Sequence, residues 1–257
     1  MTELALVPTM GALHEGHLAL VRRARELADR VVVSIFVNPT QFGANEDFDR
    51  YPRTLDADRA VLDGLAEVYA PSVDEVYPPD TPPPALHAGE LGEMWEGAHR
   101  PGHFDGVLTV VNRLFDLVEP TVAVFGEKDW QQLALIRRMA AERHPDIVIV
   151  GAPTVREPDG LALSSRNRYL SPDERVAAAL LPAVLREVVA AGGTAESLVR
   201  GAARLDDAGF VLDYLDVVHP EALEPTDQPG DARVIVAARI GTTRLIDNMP
   251  LVVPGVR

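Results

Sequence analysis

The sequence predicts an α/β protein in which a doubly wound parallel sheet forms an N-terminal domain and a smaller α+β domain follows. The first observation is that apolar runs, polar loops and segments of helical period alternate up to about residue 153, as is typical of βαβ units. The second is that helical segments followed by strand-like segments end the chain, without that alternation. The third is that 257 residues, 47% of them hydrophobic, are enough for two domains with cores of their own.

The N-terminal part is predicted to contain buried strands, because continuous apolar runs are typical of parallel sheets. These runs are 4–7, 31–37, 121–125 and 147–150, with a further short strand over 67–70. Apolar residues at helical spacing predict helices after the first strand and over 55–66, 107–117 and 130–143. Residues 77–84 are dense in proline, so we expect an extended surface connection there.

We place the domain boundary near residue 154, which gives an N-terminal domain of residues 1–154 and a C-terminal domain of residues 155–257. Residues 154–168 are polar and are predicted to form a loop. Pro172 suits the first position of a helix. Helices are predicted over 172–191 and 195–207, and strands over 210–218, 232–239 and 243–246.

Composition and charge exclude several classes of protein. The net charge is −15, whereas nucleic-acid-binding proteins usually carry a basic face, so we expect no nucleic-acid partner. The absence of cysteine excludes disulfides, thiol nucleophiles and thiolate metal sites. The N-terminus lacks the features of a signal peptide, and no run of 18 apolar residues occurs, so we expect a cytoplasmic protein without a membrane partner.

Lys128 is the only lysine among 24 basic residues. Lysine is a compact point charge and arginine is a planar fork, so the two are not equivalent at a crowded phosphate. A single lysine has to fall somewhere by chance, but this one lies in a polar loop directly after a predicted strand. We therefore take it as a candidate phosphate ligand.

Residues 8–17, PTMGALHEGH, join the first predicted strand to the first predicted helix. The N-terminus of a helix offers unpaired N–H groups and favours an anion. His14 and His17 are three residues apart and would share a face of the first helical turn, where each could donate to a phosphate oxygen. The alternative is an ordinary helix start with two surface histidines.

The loops 8–17, 38–43 and 126–132 each follow a predicted strand. The carboxyl ends of parallel strands share one edge of a sheet, and such sheets bind ligands at that edge. The sequence therefore predicts that these three loops gather at one site.

The chain resembles the pantothenate synthetase (pantoate–β-alanine ligase) family over nearly its whole length. The matching motifs are PTMGALHEGH (8–17), NPTQFG (38–43), YPRT (51–54), RPGHFDGV (100–107), FGEKDWQQ (125–132), REPDGLALSSRNRYLS (156–171) and RLIDN (244–248). The HxGH pattern is similar to that of class I aminoacyl-tRNA synthetases and related nucleotidyltransferases. The resemblance implies a Rossmann-like N-terminal domain of this superfamily.

The resemblance also implies a reaction in which ATP and pantoate form pantoyl adenylate and pyrophosphate, and β-alanine then gives pantothenate and AMP. His14 and His17 would bind the phosphates, with His17 as the proton donor, and Lys128 would hold the α- and γ-phosphates. Asp129 would help to hold Mg²⁺, which prefers few carboxylates together with substrate phosphates. The ATP-binding residues implied are Met10, Gly11, Ala12, Leu13, His14, Glu15, Gly16, His17, Gly126, Glu127, Lys128, Asp129, Val155, Leu163, Ser164, Ser165 and Arg166.

Gln41 and Gln132 match the pantoate-binding amides of the family, and Gln41 is also expected to face β-alanine. An amide donates and accepts, so it can bind hydroxyl and carboxylate groups together. Arg100 and His103 are expected either to support the site or only to stabilise their loop, and Trp130 is expected to pack in the core. The resemblance further implies a homodimer and a C-terminal domain that caps the ATP site. Members usually have one more strand and helix before the first motif, and their absence would leave a sheet edge unpaired.

Two other functions compete with the ligase hypothesis. A nucleotidyltransferase that moves AMP or CMP to a phosphorylated acceptor would share residues 8–17, but it would need further basic groups where Gln41 and Gln132 are neutral. A non-catalytic nucleotide-binding protein would not require the set formed by His14, His17, Lys128 and the SSRN motif at 164–167.

Overall fold

The computed structural model describes residues 3–43 and 48–255. The chain forms two compact units. The first consists of the described residues of Met1–Glu127 together with Gln131–Pro153. The second consists of Lys128–Trp130 together with the described residues of Thr154–Arg257. Three residues of the FGEKDWQQ motif therefore group with the second unit, although their neighbours in the chain on both sides belong to the first.

The first unit contains a five-stranded parallel sheet in the order β3-β2-β1-β4-β5. The strands are β1 (Leu4–Thr9), β2 (Arg30–Ile35), β3 (Glu67–Tyr69), β4 (Val122–Gly126) and β5 (Val148–Ala152). This confirms the predicted parallel sheet. The strand order reverses beside β1, which pairs with β2 on one side and β4 on the other. The loops after β1 and β4 therefore leave the sheet at its topological switch point, where sheets of this kind bind ligands.

In the described residues, six α-helices lie between β1 and β5 in the chain. They are α1 (Glu15–Arg25), α2 (Leu55–Leu62), α3 (Val73–Val76), α4 (Glu96–His99), α5 (His103–Val118) and α6 (Trp130–Arg143). The short helices α3 and α4 were not predicted. The helix predicted over 107–117 begins four residues earlier, at His103, because Gly102 adopts a left-handed φ of +79° just before it. None of the helices within residues 3–43 and 48–255 combines the length and apolar character of a membrane span.

The second unit contains a three-stranded antiparallel sheet in the order β6-β7-β8, as predicted for an α+β domain. Its elements are α7 (Pro172–Ala178), α8 (Leu180–Ala190), α9 (Ala195–Asp207), β6 (Val211–Val218), β7 (Gly230–Ile240) and β8 (Thr243–Val253). The single helix predicted over 172–191 is two helices. Pro182 lacks an N–H and is tolerated only in a first turn, so a new helix starts just before it. Strand β8 runs past its predicted end through Pro250, which an edge strand tolerates.

Candidate active site

The loop between β1 and α1 turns sharply through two residues with positive φ. Gly11 has φ +82° and Ala12 has φ +52°. The Gly11 N–H donates to Thr9 Oγ1 at 3.2 Å, and that hydroxyl donates to the Ser34 carbonyl of β2 at 2.7 Å. A Cβ at residue 11 would lie 2.9 Å from Asp58 Oδ2, so only glycine fits. The loop is thus held against the neighbouring strand before the helix begins.

Asp58 is a site residue that the sequence analysis missed. Its side chain is buried in α2, and its carboxylate accepts the backbone N–H of Ala12 at 3.0 Å and of Leu13 at 2.8 Å. The Thr54 hydroxyl donates to the same carboxylate at 3.1 Å. Asp58 lies three residues after Leu55 and four before Leu62, so an acidic residue occupies the apolar face of a predicted helix. That position is the signal that could have identified it.

His14 and His17 form a reciprocal cap at the start of α1. The Gly16 N–H donates to His14 Nδ1 at 3.1 Å, and the His14 N–H donates to His17 Nδ1 at 3.2 Å. A ring nitrogen that accepts an N–H bears no proton, so each neutral imidazole carries its proton on Nε2. The ring centroids are 4.1 Å apart. The two rings therefore lie side by side at one helix N-terminus with their protons on Nε2, and a helix N-terminus is a favourable position for an anion.

Gln41 is fixed in a turn that follows β2. Its Oε1 accepts from Asn38 Nδ2 at 3.1 Å, and its Nε2 lies 3.2 Å from Met10 Sδ of the first motif. Asn38, which is 1% exposed, also accepts the Tyr77 hydroxyl at 2.8 Å. Burial raises the pKa of Tyr77, which keeps that hydroxyl protonated as a donor. Residues 10 and 41 are thus brought together, as predicted from the shared edge of the sheet.

The turn around Gln41 also packs against α5. The carbonyl of Gln41 accepts from His103 Nδ1 at 2.9 Å, so His103 Nε2 is unprotonated in the neutral ring and accepts from Arg100 Nη1 at 2.9 Å. A Cβ at Gly106 would overlap the Thr40 carbonyl and lie 2.8 Å from the Cα of Gln41. Arg100, His103 and Gly106 of the RPGHFDGV motif therefore shape the turn that carries Gln41.

The two glutamines at the start of α6 have different surroundings. Gln131 is buried and donates to the carbonyls of Leu91 and Met94 at 2.7 and 2.9 Å, while its Oε1 accepts the Glu96 N–H at 3.1 Å. Gln132 is half-buried, and its side chain makes no hydrogen bond to any residue that the structure describes. Gln132 is therefore the amide that remains available to a ligand.

Lys128 belongs to the second unit. Its ammonium lies 3.6 Å from the Asp129 carboxylate, and its backbone carbonyl accepts from Asn248 Nδ2 at 2.9 Å. Trp130 does not pack fully in the core as expected: it is half-buried, its Nε1 donates to the Pro220 carbonyl at 2.8 Å, and the Arg233 guanidinium stacks on its ring. A tryptophan N–H needs such a partner when it is covered.

The loop before α7 folds as a tight hairpin followed by a 3₁₀ turn. The Leu163 N–H donates to the Val155 carbonyl at 2.9 Å. Ser164 Oγ accepts the Arg166 N–H at 3.2 Å and so caps the 3₁₀ turn Ser165–Tyr169. The structure therefore places Val155, Leu163, Ser164, Ser165 and Arg166 on one continuous loop of the second unit.

The other predicted residues lie at strand or helix ends of the first unit. Glu15 and Gly16 begin α1, and Glu15 is exposed and paired with Arg22. Gly126 ends β4, and Glu127 follows it. The structure thus collects residues 10–17 and Gln41 in the first unit, and Lys128, Asp129 and the 155–166 loop in the second.

Comparison with known proteins gives consistent matches. A profile of the family described as Pantoate-beta-alanine ligase matches residues 1–250. A pantothenate synthetase of Rhizorhabdus wittichii is 56% identical over 254 residues, which cover 96% of this chain and 90% of the relative. A pantothenate synthetase of Nocardioides sp. is 57% identical over 265 residues, covering 97% of this chain and 79% of the relative.

Solved structures of similar proteins have the same fold. The crystal structure of pantothenate synthetase from Thermus thermophilus has a TM-score of 0.90 and 52% identity, covering 96% of this chain and 92% of that one. The crystal structure of pantoate-beta-alanine ligase from Francisella tularensis has a TM-score of 0.81 and 34% identity, covering 96% and 89%. The Francisella protein was solved in complex with beta-gamma ATP and β-alanine.

Proposed function

This chain belongs to the pantoate–β-alanine ligase family, and we propose that its residues catalyse the reaction in two steps. Pantoate is first activated as an adenylate, and the adenylate then reacts with β-alanine. The chain joins pantoate to β-alanine with consumption of ATP. In the first step a pantoate carboxylate oxygen attacks the α-phosphorus, the bond to the β-phosphate bridge oxygen breaks, and pyrophosphate leaves. In the second step the amine of β-alanine attacks the acyl carbon, the bond to the phosphate oxygen breaks, and AMP leaves as the amine loses a proton.

The observation that carries this proposal is the reciprocal cap of His14 and His17. It fixes a proton on Nε2 of both rings without using either proton for the cap itself. Donors aimed in advance at developing negative charge lower the barrier, because they need not reorganise during the reaction. His14 and His17 bind the phosphates of ATP, and His17 Nε2–H is the proton donor toward the departing pyrophosphate. The remaining residues of 10–17 surround the nucleotide.

Lys128 supplies a full positive charge to the α- and γ-phosphates. Its side chain is only 20% exposed, which strengthens its interaction with an anion relative to a fully solvated ammonium. In a molecule of net charge −15, such a local positive group is needed to attract a triphosphate. Gly126, Glu127, Val155, Leu163 and the Ser164–Arg166 segment complete the proposed ATP contacts.

Asp129 is the proposed protein ligand of Mg²⁺. Within residues 3–43 and 48–255 no three acidic or histidine groups cluster to form a cation site of their own. Mg²⁺ typically binds one or two carboxylates together with substrate phosphates, and the half-exposed carboxylate of Asp129 beside Lys128 fits that donor set. When bound, Mg²⁺ would neutralise charge on the phosphate oxygens.

Gln41 and Gln132 are the proposed pantoate ligands, and Gln41 also faces β-alanine. Asn38 donates a hydrogen bond to Gln41 Oε1, and this contact fixes the orientation of the Gln41 amide. The direction of the Nε2 hydrogens is therefore also fixed. His103 and Arg100 act through the backbone of the same turn and touch no substrate in this proposal.

Three further proposals come from the family alone. The C-terminal domain, residues 155–257, caps the bound ATP. The protein is a homodimer, and it acts in the cytoplasm. Size-exclusion chromatography with light scattering tests the dimer, and crystals with and without ATP test the cap.

The decisive experiment is exchange of labelled pyrophosphate into ATP. We expect exchange to require pantoate and not β-alanine, because labelled pyrophosphate enters ATP when it attacks pantoyl adenylate in the reverse of the first step. We expect Lys128→Ala to lower exchange at least 100-fold, by analogy with removal of one preorganised donor, which costs roughly 3 kcal/mol. Lys128→Arg keeps the charge with a different shape, and we expect its exchange rate to lie between those of the natural protein and Lys128→Ala. Exchange without pantoate would overturn the ligase assignment, and an unchanged Lys128→Ala would overturn the role of the ammonium.

A further inference from the structure

The RLIDN motif at 244–248 takes no part in the proposed chemistry. Its last two residues, however, contact the two segments of the second unit that do, namely 128–130 and 155–166. Asn248 lies in β8 and is 5% exposed. Its Nδ2 donates to the backbone carbonyl of Lys128 at 2.9 Å, across 120 positions of sequence. A buried side-chain amide that reaches a backbone group so distant in sequence fixes that group in space.

The Asn248 amide is itself held in one orientation. Its Oδ1 accepts a hydrogen bond from Nη1 of Arg233, a 6%-exposed residue of β7. The guanidinium of Arg233 lies 3.3 Å from the centroid of the Trp130 ring, two residues after Lys128. The amide cannot flip without placing its NH₂ group against a cation, so Nδ2 stays directed at Lys128.

The neighbouring residue, Asp247, holds the second loop. Its carboxylate, 1% exposed, accepts two hydrogen bonds from the Arg156 guanidinium, at 2.7 and 2.9 Å. Arg156 also donates to the Asn248 carbonyl at 3.2 Å and to the Gly160 carbonyl at 3.0 Å. A bidentate pair of this kind restricts direction as well as distance. Arg156 lies in the loop that ends in Ser164–Arg166.

We propose that Asn248 is a positioning residue for the adenylation step, which sets the place of the Lys128 ammonium by holding the Lys128 carbonyl. Asp247 does the same for the 155–166 loop through Arg156. Two adjacent residues of β8 thereby fix the distance between Lys128 and the 155–166 loop. This inference rests on the proposed phosphate-binding role of Lys128. A short segment such as 128–130 needs an external anchor, because a displacement of about 1 Å can cost 100-fold in rate.

The test is a double-mutant cycle between residues 248 and 128, read by pantoate-dependent ATP–pyrophosphate exchange. Asn248→Asp is nearly isosteric and keeps an acceptor for Arg233, but it replaces the donor to the Lys128 carbonyl with a carboxylate oxygen. Asn248→Ala loses both. We expect each to lower kcat for exchange roughly tenfold or more in the natural background, with the KM for pantoate changed less than twofold. In a Lys128→Ala background we expect Asn248→Asp to change exchange by less than twofold, because residues that act as a unit are not additive.

A merely structural role of Asn248 would give a different result, namely the same fold loss in both backgrounds. That outcome, or an unchanged kcat in Asn248→Asp, would overturn the inference. The matched control is Asp213→Asn, which removes the negative charge from the largely buried ion pair of Asp213 and Arg244 on the same sheet. It is expected to lower the thermal midpoint with kcat within twofold. If Lys128→Ala alone left exchange intact, the proposed function of Lys128 would fail instead, and the two failures are therefore distinguishable.

Discussion

The carboxylate of Asp58 holds Ala12 in a left-handed conformation by accepting its backbone N–H at 3.0 Å. A non-glycine residue with φ near +50° costs about 1–2 kcal/mol. Hydrogen bonds to a charged group are worth about 1.5–3 kcal/mol each, so the bonds to Ala12 and Leu13 together offset this strain. The sharp turn that they stabilise decides where α1 begins and hence where the imidazoles of His14 and His17 lie.

We expect Asp58→Asn to lower kcat for pyrophosphate exchange about 10- to 100-fold. An asparagine offers one acceptor oxygen, so either the Ala12 or the Leu13 N–H would face an NH₂ group and the turn would shift. Asp56→Asn is the matched control, because Asp56 is exposed on the same helix and the charge change is identical. Equal activity of the two variants would contradict the clamp.

The two functions of His14 can be separated by the choice of replacement. In His14→Asn the side-chain oxygen replaces Nδ1 as the cap for the Gly16 N–H, but no Nε2–H remains. We expect the thermal midpoint to stay within about 2 °C and exchange to fall about 100-fold. In His14→Gln the cap is lost but a distal N–H donor is kept. We therefore expect a lower thermal midpoint and a smaller loss of exchange than in His14→Asn. Calorimetry and exchange assays on both proteins check this, and a large loss of stability in His14→Asn would contradict the assigned cap.

Gln131 and Gln132 are adjacent, yet their replacement by alanine should have different effects. Gln131→Ala leaves two carbonyls and one N–H of the 91–96 turn without their partner, and we expect a loss of about 2–3 kcal/mol of unfolding free energy. Gln132→Ala should leave stability unchanged and raise the KM for pantoate at least tenfold. Denaturant unfolding and steady-state kinetics on both variants distinguish the two roles. A normal pantoate KM in Gln132→Ala would remove Gln132 from the proposed site.

Asp216 in β6 is predicted to reduce stability at neutral pH. Burial raises the pKa of its carboxyl group, against the lowering effect of the Val217 N–H that it accepts at 2.7 Å. The folded state therefore binds its proton more tightly than the unfolded state, and stability from this group falls as pH rises from about 3.9 through the raised pKa. Asp216→Asn should raise the midpoint by about 1–3 °C at pH 7, with little difference below pH 4. A midpoint difference that does not depend on pH would contradict this.

Much of the fold could be predicted because local pattern and tertiary packing agree. The apolar runs that form β1, β2 and β4 are buried along most of their length, as is typical of the inner strands of a parallel sheet. Strand β5 lies at the sheet edge, where only Ala152 is fully buried, but its apolar run still predicted a strand. The predicted helix boundaries were wrong where the conformation of a single glycine or proline outweighed the apolar pattern. Gly102 allowed α5 to start earlier than its apolar residues indicate, and Pro182 split a helix whose amphipathic pattern is continuous.

By itself, the sequence determined the two-part α/β architecture, the histidines at the start of α1 and the family, since each depends on residue types at short spacing. Only the tertiary structure decided the roles of Asp58 and Asn248, because a buried hydrogen bond joins atoms that lie 46 or 120 positions apart in the chain. It also decided which nitrogen of each imidazole carries the proton, since that depends on the direction of one backbone N–H group. Residue types restrict which contacts are possible, but the direction of each donor is set only when the backbone has folded.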